Sequence, residues 1–170
     1  MAQPTSGAHS GQSSLNKIYG HVKDVETITA AKTLTLADTG KTLFINYDSD
    51  SNIDITLPSA TAGAYFKFLW IADFTDTAAA LTVVSPGGNG TLRGAVRVDE
   101  ADASTVPVIE ESDDSSHAEL KIGANAANTQ AGSVLEAISD GTNWYVSGAI
   151  IHVSGGGAAA ATVTWQAAGA

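Results

Sequence analysis

One short stretch of the 170-residue chain copies the end of a phosphate-binding loop. Gly40, Lys41 and Thr42 stand in the order that such a loop uses before its helix, where backbone N–H groups and the lysine hold phosphate. Thr35 occupies the position of the first required glycine, and the sequence that follows, LFINY, has a strand pattern. The sequence therefore predicts a turn leading into a strand and no nucleotide site.

A second stretch places oxygen-bearing side chains at the spacing of a calcium loop. Asp48, Asp50 and Asn52 alternate as the first three ligands of such a loop do, so that their oxygens could converge on one ion. Ile53 stands where the loop needs glycine for its sharp bend, and Ser59 stands where it needs a bidentate glutamate. We therefore predict an Asx-rich hairpin turn and no dedicated metal site. Weak adventitious calcium binding is the alternative.

The histidines and serines show no catalytic or zinc-binding pattern. His9, His21, His117 and His152 are not spaced as ligand pairs, and the chain contains neither H-E-x-x-H nor G-x-S-x-G. A Ser/His/Asp set is defined by geometry and not by sequence distance, so a small β-sandwich enzyme is kept as an alternative. We predict a protein that is not an enzyme, with no catalytic residue, cofactor, metal or small-molecule substrate. His9 and His21 are predicted to be solvated, and His152 to lie in a strand.

Three tryptophans could form a sugar-binding platform, because an aromatic ring presents a large apolar face. Trp70 lies in FLWIA, a nearly continuous apolar run that predicts a strand buried on both faces. Trp144 precedes Tyr145 and Val146, where alternation can turn the indole inward. Core packing is therefore predicted for these two. Trp165 follows a small-residue tether and is the candidate for an anchor to another molecule.

Acidic residues dominate the chain, whose net charge is −10. From Val25 onward it holds 17 of its 18 acidic residues but only 6 of its 8 basic ones. Eight acids follow one another with no Lys or Arg between them: Asp99, Glu100, Asp102, Glu110, Glu111, Asp113, Asp114 and Glu119. We interpret this run as a solvated acidic rim, with a site for a cation or a basic partner as the alternative. Such a surface repels nucleic acid and anionic membranes, so neither is an expected partner.

Short segments with alternating apolar and polar residues fill most of the chain and predict strands. They include VETITA from Val25, YFKFLWIA from Tyr65 and SVLEAIS from Ser133. The Asn89-Gly90 pair predicts a type I′ hairpin. No window shows a capped apolar stripe of helical period, so helix is expected to be minor. The predicted fold is all-β, an antiparallel β-sandwich or barrel-like domain over residues 25–154.

Both ends of the chain differ in composition from this β-rich body. Residues 1–24 are predicted to form a flexible N-terminal arm, because their Ser, Gly, Gln and Pro content offers little apolar surface. Residues 155–170 form a Gly/Ala-rich tail, a tether carrying one more strand that could dock on its own sheet or on a neighbour's. The ends are either frayed tails or assembly contacts. The predicted assembly contacts are Leu15, Ile18, Tyr19, Val22, Val163 and Trp165.

Two stretches together resemble the accessory structural proteins of bacteriophage virions. They are ITLPSATAGAYFKFLWIA, from Ile55 to Ala72, and SVLEAISDGTNWYVSG, from Ser133 to Gly148. The strand in ADTGKTLFIN, from Ala37, precedes them. The shared pattern is a strand ending in Leu-Pro, a short Ala/Gly connection, an aromatic core strand and a D-G-x-x-W hairpin.

This resemblance implies a structural protein of the virion. A compact domain with a flexible arm at one end and a tethered strand at the other favours a head decoration (cement) protein, which binds the outside of the phage capsid and stabilises it. The expected partners are then the major capsid protein and further copies of the chain itself, as a homotrimer. The expected location is the capsid surface of a virion assembled in the host cytoplasm. The alternative is a tail fibre or other receptor-binding or carbohydrate-binding β domain, although a fibre more often has a long repetitive shaft.

Overall fold

The described residues fold mainly into β-strands, and their helical part is one 3-10 turn, Leu36–Asp38. This computed structural model describes residues 24–47, 52–73, 80–100, 107–123, 127–154 and 163–169. Among them, no helix is long and apolar enough to cross a membrane. The strands, in chain order, are β1 (Val25–Ile28), β2 (Lys32–Thr33), β3 (Thr42–Ile45), β4 (Ile53–Thr56), β5 (Tyr65–Trp70), β6 (Leu81–Val84), β7 (Leu92–Glu100), β8 (Val108–Glu111), β9 (Glu119–Ile122), β10 (Ala127–Thr129), β11 (Val134–Ser139), β12 (Trp144–Ser154) and β13 (Val163–Gln166).

These strands form two sheets that pack together around one core. The large sheet has eight strands, in the order β1-β3-β5-β11-β12-β7-β8, with β10 paired to the last residues of β12. The small sheet has five strands, in the order β13-β9-β6-β4-β2. Side chains from both sheets belong to the same cluster of buried apolar residues. The prediction of an all-β, sandwich-like fold is confirmed.

The first six strands alternate between the two sheets. The strands β1, β3 and β5 lie side by side in the large sheet, β2, β4 and β6 do so in the small sheet, and all these neighbours run parallel. A strand that returns to its sheet after passing through the other sheet arrives in the direction of its predecessor. This part of the chain therefore winds as a coil of three turns. The sequence analysis described the sandwich as antiparallel, whereas both sheets are mixed and also contain parallel pairs.

The later strands extend both sheets, mostly by antiparallel pairing. β11 lies between β5 and β12, β9 lies between β6 and β13, and all four of these pairs are antiparallel. The pairing of β12 with β7 is parallel. The predicted hairpin at Asn89-Gly90 is not formed, because β6 and β7 belong to different sheets. Asn89 also lacks the positive φ that a type I′ turn requires at both central residues.

Alternation within each strand decides which side chains reach the core. In β5, Phe66, Phe68 and Trp70 are buried, whereas the residues between them are half-buried. The prediction that this strand is buried on both faces is wrong. Leu69 is only half-buried and the next apolar residue, Ile71, is 44% exposed. The described residues therefore leave the outer face of the large sheet partly open to solvent.

Candidate interaction surfaces

The stretch that copies a phosphate loop is a turn held by ion pairs. Lys41 Nζ lies 2.7 Å from Asp38 Oδ1 and 3.2 Å from Glu26 Oε2. The Lys41 ammonium, followed by the N–H of Thr35, holds the pKa of Asp38 well below its usual range, and Asp38 in turn raises the pKa of Lys41. Thr42 then begins β3. The prediction of a turn leading into a strand is confirmed, and the lysine is committed to carboxylates.

In the stretch with calcium-loop spacing, at least one side-chain oxygen forms a hydrogen bond within the fold. The side-chain Oδ1 of Asn52 accepts a hydrogen bond from the Ala80 N–H at 2.8 Å, which joins the start of β4 to the start of β6. Ile53 is the first residue of β4. Asp48 and Asp50 lie outside the described residues. Within the described part of the chain, no three His, Cys, Asp or Glu side chains are grouped so that they could hold a metal ion.

A Ser/Asp/His set does come together in the turn between β8 and β9. The Ser112 hydroxyl and the Asp113 carboxylate both lie 3.3 Å from Nδ1 of His117. In a catalytic triad the serine faces Nε2, and the aspartate faces Nδ1. Here both groups face the same nitrogen, which also accepts the Asp113 N–H at 3.2 Å. The Ser112 hydroxyl donates to the Leu92 carbonyl oxygen at 3.1 Å.

The other hydrogen bonds of this turn give Asp113 a structural role. Asp113 accepts the Ser116 hydroxyl and the N–H groups of Ser115 and Ser116, which together, the hydroxyl first, hold its pKa well below its usual range. These are the bonds of an Asx turn, in which a carboxylate satisfies the backbone two and three residues on. The set therefore closes the turn between β8 and β9, and its geometry is not that of an activated nucleophile.

Of the other three histidines, His152 is the one that the structure describes. His9 and His21 lie outside the described residues. His152 lies in β12, as predicted, and is fully buried with no hydrogen-bond partner for either ring nitrogen. Thr129 of β10 is the register partner of His152, and it is also fully buried with an unbonded hydroxyl.

Trp70 and Trp144 are core residues, as predicted, with exposures of 2% and 0%. The indole N–H of Trp144 donates to the Pro58 carbonyl oxygen at 3.1 Å. Its ring centroid lies 5.6 Å from that of Phe66, within the range of favourable aromatic pairs. Trp144 therefore fastens the D-G-x-x-W hairpin to the Leu57-Pro58 connection, and neither tryptophan is available to a sugar.

The hairpin itself is closed by Asp140. Its Oδ1 accepts the N–H groups of Thr142 at 2.7 Å and Asn143 at 2.8 Å. Hydrogen bonds from these amides, that of Asn143 first, lower the pKa of Asp140 to about 2. The hydroxyl of Tyr145 donates to its other oxygen at 3.0 Å. An ionised aspartate thus organises both the turn and the first exposed side chain after it.

The predicted assembly contacts have different places in the structure. Val163 and Trp165 lie in β13 and are 2% and 8% exposed, because the strand pairs with β9 of its own chain. The sequence left two positions open for this strand, its own sheet or a neighbour's, and in the single chain it takes the first. The indole of Trp165 is therefore not free to anchor another molecule while β13 is in place. Four predicted contacts lie outside the described residues: Leu15, Ile18, Tyr19 and Val22.

The outer face of the large sheet carries an apolar row that the sequence analysis did not identify. Tyr65, Ile138 and Tyr145 stand in register on β5, β11 and β12, and we refer to them as the tyrosine row. Ile138 is 50% exposed and Tyr145 39% exposed, while Tyr65 is half-buried. Cross-strand neighbours on one face lie about 5 Å apart, so the three side chains form a continuous strip.

Charged and apolar rows alternate beside the tyrosine row. Lys67 and Glu136 are register partners, and Nζ of the lysine lies 3.3 Å from Oε1 of the glutamate. Burial, together with a hydrogen bond to Glu136, raises the pKa of Tyr65 to about 12, so this tyrosine is neutral at physiological pH. The next row consists of half-buried apolar residues: Phe44, Leu69, Val134 and Ala149.

Part of the acidic run lies along one edge of the same sheet. Glu111, Asp113 and Asp114 are exposed on β8 and in the turn after it, which confirms the interpretation of a solvated rim for this part of the run. β8 is the edge strand, and charge on an edge discourages pairing with other chains. Ile109, which is 62% exposed, is the largest apolar exposure on this strand.

Comparisons of the chain with protein-family models, with curated proteins and with solved structures found no significant match.

Proposed function

We propose that this protein is a non-enzymatic structural protein of a phage particle, a decoration protein that binds the outside of the capsid and stabilises it. One observation carries the proposal: the stretches that resemble virion accessory proteins pack into a single unit. Their strands β3, β5, β11 and β12 are neighbours in the large sheet, and Trp144 joins the hairpin to Pro58. Residues that are used in packing support a structural role better than a chemical one.

The proposed contact with the major capsid protein is the outer face of the large sheet, centred on the tyrosine row. Ile138 and Tyr145 are exposed there, next to the balanced charges of Lys67 and Glu136. The charged groups beside the tyrosine row are Lys67, Arg93, Glu136 and Asp140, two of each sign, so this part of the face can lie against another protein at a smaller electrostatic cost than the acidic β8 edge. Further copies of the chain, as a homotrimer, are part of the proposal. The predicted additional contacts are Leu15, Ile18, Tyr19 and Val22.

Immunogold electron microscopy of particles from the virus that encodes the chain tests the location. We expect label over the head. Label confined to the tail would favour the fibre alternative, and unlabelled particles would refute both.

A binding assay with particles stripped of the protein tests the face. Ile138→Lys should weaken binding by about tenfold or more, because a charge in the centre of an apolar contact costs at least about 1.4 kcal/mol. Ile109→Lys is the matched control, since Ile109 is also an exposed isoleucine of the large sheet but lies on the acidic edge. Far-UV circular dichroism should show both variants folded. Binding of Ile138→Lys as strong as that of the wild type would remove the tyrosine row from the proposal.

A carbohydrate-binding domain is the second candidate, and the spacing of the two tyrosines favours it. Tyr65 and Tyr145 stand two strands apart, about 10 Å, and Asp140 bonds to the hydroxyl of the second. Aromatic rings with nearby carboxylates suit a short run of sugars. Titration with host surface glycans distinguishes the candidates: saturable binding that Tyr145→Ala abolishes would support this second function.

A further inference from the structure

The C-terminal strand β13 lies at one edge of the small sheet. We propose that this strand is exchanged between copies of the chain, so that β13 of one copy takes the place beside β9 of another. The partner is therefore a second copy of the same chain. The inference goes beyond the proposed function, because it holds whatever particle or surface the protein belongs to.

The place beside β9 accepts one strand in one register. Val163 to Gln166 pair antiparallel with Ile122 to Glu119. Val163 and Trp165 are buried, whereas Thr164 between them is exposed. A shift of one residue would turn both apolar side chains to solvent and a threonine to the core. The site therefore selects this sequence, which only the chain itself or another copy of it is certain to supply.

Polar contacts hold the same strand to the neighbouring elements. Trp165 Nε1 donates to the Glu110 carbonyl oxygen of β8 at 3.1 Å. The N–H of Ala118, just before β9, donates to the Gln166 carbonyl oxygen at 2.9 Å. These partners lie on β8 and next to β9. None of them belongs to β12, the strand that precedes β13 in the chain.

The sequence between β12 and β13 contains only small residues. It reads GGGAAAAT, residues 155–162, in which no side chain is larger than that of threonine. Nine steps from Ser154 to Val163 can reach at most about 30 Å, a distance similar to the diameter of a small domain. The connection is therefore long enough for β13 to reach an adjoining copy.

A strand from a second copy makes the same backbone and side-chain contacts as the chain's own strand. The balance between the two is then decided by effective concentration. In dilute solution the tethered strand is closer and its own site is favoured. When copies are held side by side, the neighbouring strand competes on similar terms. Exchange passed from each copy to the next closes a ring, the symmetry that a homotrimer has.

Engineered cysteines test the exchange cleanly, because the chain has no cysteine of its own. Thr164 and Lys121 are register partners across β13 and β9, and such partners lie about 5 Å apart, within the range of a disulfide. The full-length Thr164→Cys and Lys121→Cys variants, one carrying a mass tag, are mixed at high concentration and oxidised. We expect a covalent heterodimer with one copy of each. Thr27→Cys, at an exposed position of β1, replaces Lys121→Cys in the control mixture.

The double variant Thr164→Cys/Lys121→Cys shows whether the geometry permits the bond. It should form the disulfide within one chain in dilute solution, and once oxidised it should no longer exchange. If it closes fully while the mixed single variants give no more heterodimer than the Thr27→Cys control, the strand stays with its own copy and the proposal is wrong. Since no particle enters this experiment, its failure is separate from failure of the decoration role.

Discussion

Gly94 offers the sharpest test of the fold, because it lies where β7 runs beside β12. Its register partner is Val146. A Cβ atom at position 94 would lie 1.9 Å from the Val146 carbonyl oxygen, and the backbone has a φ of +130°. Carbon and oxygen in contact between strands are normally about 3.3 Å apart, so Gly94→Ala must separate the two strands by about 1.4 Å.

The cost of this substitution has two parts. The unfavourable φ contributes about 1–3 kcal/mol. Separating the strands removes two ladder hydrogen bonds or more, at about 0.5–1.5 kcal/mol each. We therefore expect Gly94→Ala to lower the free energy of unfolding by about 4 kcal/mol, a large part of the roughly 5–15 kcal/mol typical of a domain.

Urea unfolding followed by tryptophan fluorescence measures this loss. The matched control is Gly88→Ala, since Gly88 also has a positive φ, +82°, but a Cβ there meets nothing within 4 Å. The control should lose only about 1–2 kcal/mol from its left-handed backbone. A Gly94→Ala protein that fails to fold while the control folds gives the same answer as a large loss. Equal losses in the two variants would mean that β7 and β12 do not approach in this way.

Two further predictions concern buried and partly buried polar groups. Lys41 and Thr35 hold the folded-state pKa of Asp38 below its usual range, so the unfolded chain takes up the proton first, near pH 3.9. The stability that Asp38 contributes is therefore present above about pH 5 and falls as the pH drops towards the folded pKa. Urea unfolding of wild type and Asp38→Asn should converge on acidification, and parallel curves would refute this. His152→Leu should leave stability unchanged or raise it by about 1 kcal/mol, because two buried, unbonded nitrogens are removed. A loss above about 2 kcal/mol would mean that the ring is bonded in solution.

Most strands could be predicted from the sequence, because burial on one face produces a local pattern of period two. In β4, Ile53 and Ile55 are buried and Asp54 between them is exposed, and β11 alternates in the same way. Where this pattern was weak, prediction failed. β10 has only three residues, Ala127–Thr129, and its sequence is neither alternating nor rich in β-branched residues. Its place is set by pairing with β12.

Strand pairing could not be predicted in the same way, since it depends on contacts between distant residues. The Asn89-Gly90 pair has the composition of a hairpin turn, but it connects strands of different sheets. Local turn chemistry does not say whether the next strand will return beside the last one or cross to the other layer. The alternation of the first six strands between sheets, and the parallel neighbours that follow from it, are therefore products of the packing of both layers.

The tyrosine row, a candidate site, could not be predicted for the same reason. Alternation assigns Ile138 to the face opposite Leu135 and Ala137, and Tyr145 to the face opposite Trp144, so each side chain could have been predicted to point outward. Their meeting could not, because it requires the register of β11 with β12. A surface built from one residue of each strand has no signature within any single strand.

Neither the composition of the tail nor the contacts of Trp165 decide alone whether this residue is a core residue or an assembly contact. Its small-residue tether predicts a strand that can leave, and its burial beside Ile122 and Leu120 shows that the strand has a specific site. Both properties are the same whether the site belongs to its own chain or to another, because identical residues make identical contacts. What differs is the concentration of competing sites, which is low for a single chain and high in an assembly. A residue that packs in the core of one chain can therefore also be an assembly contact, and the cross-linking of Thr164 with Lys121 separates the two roles.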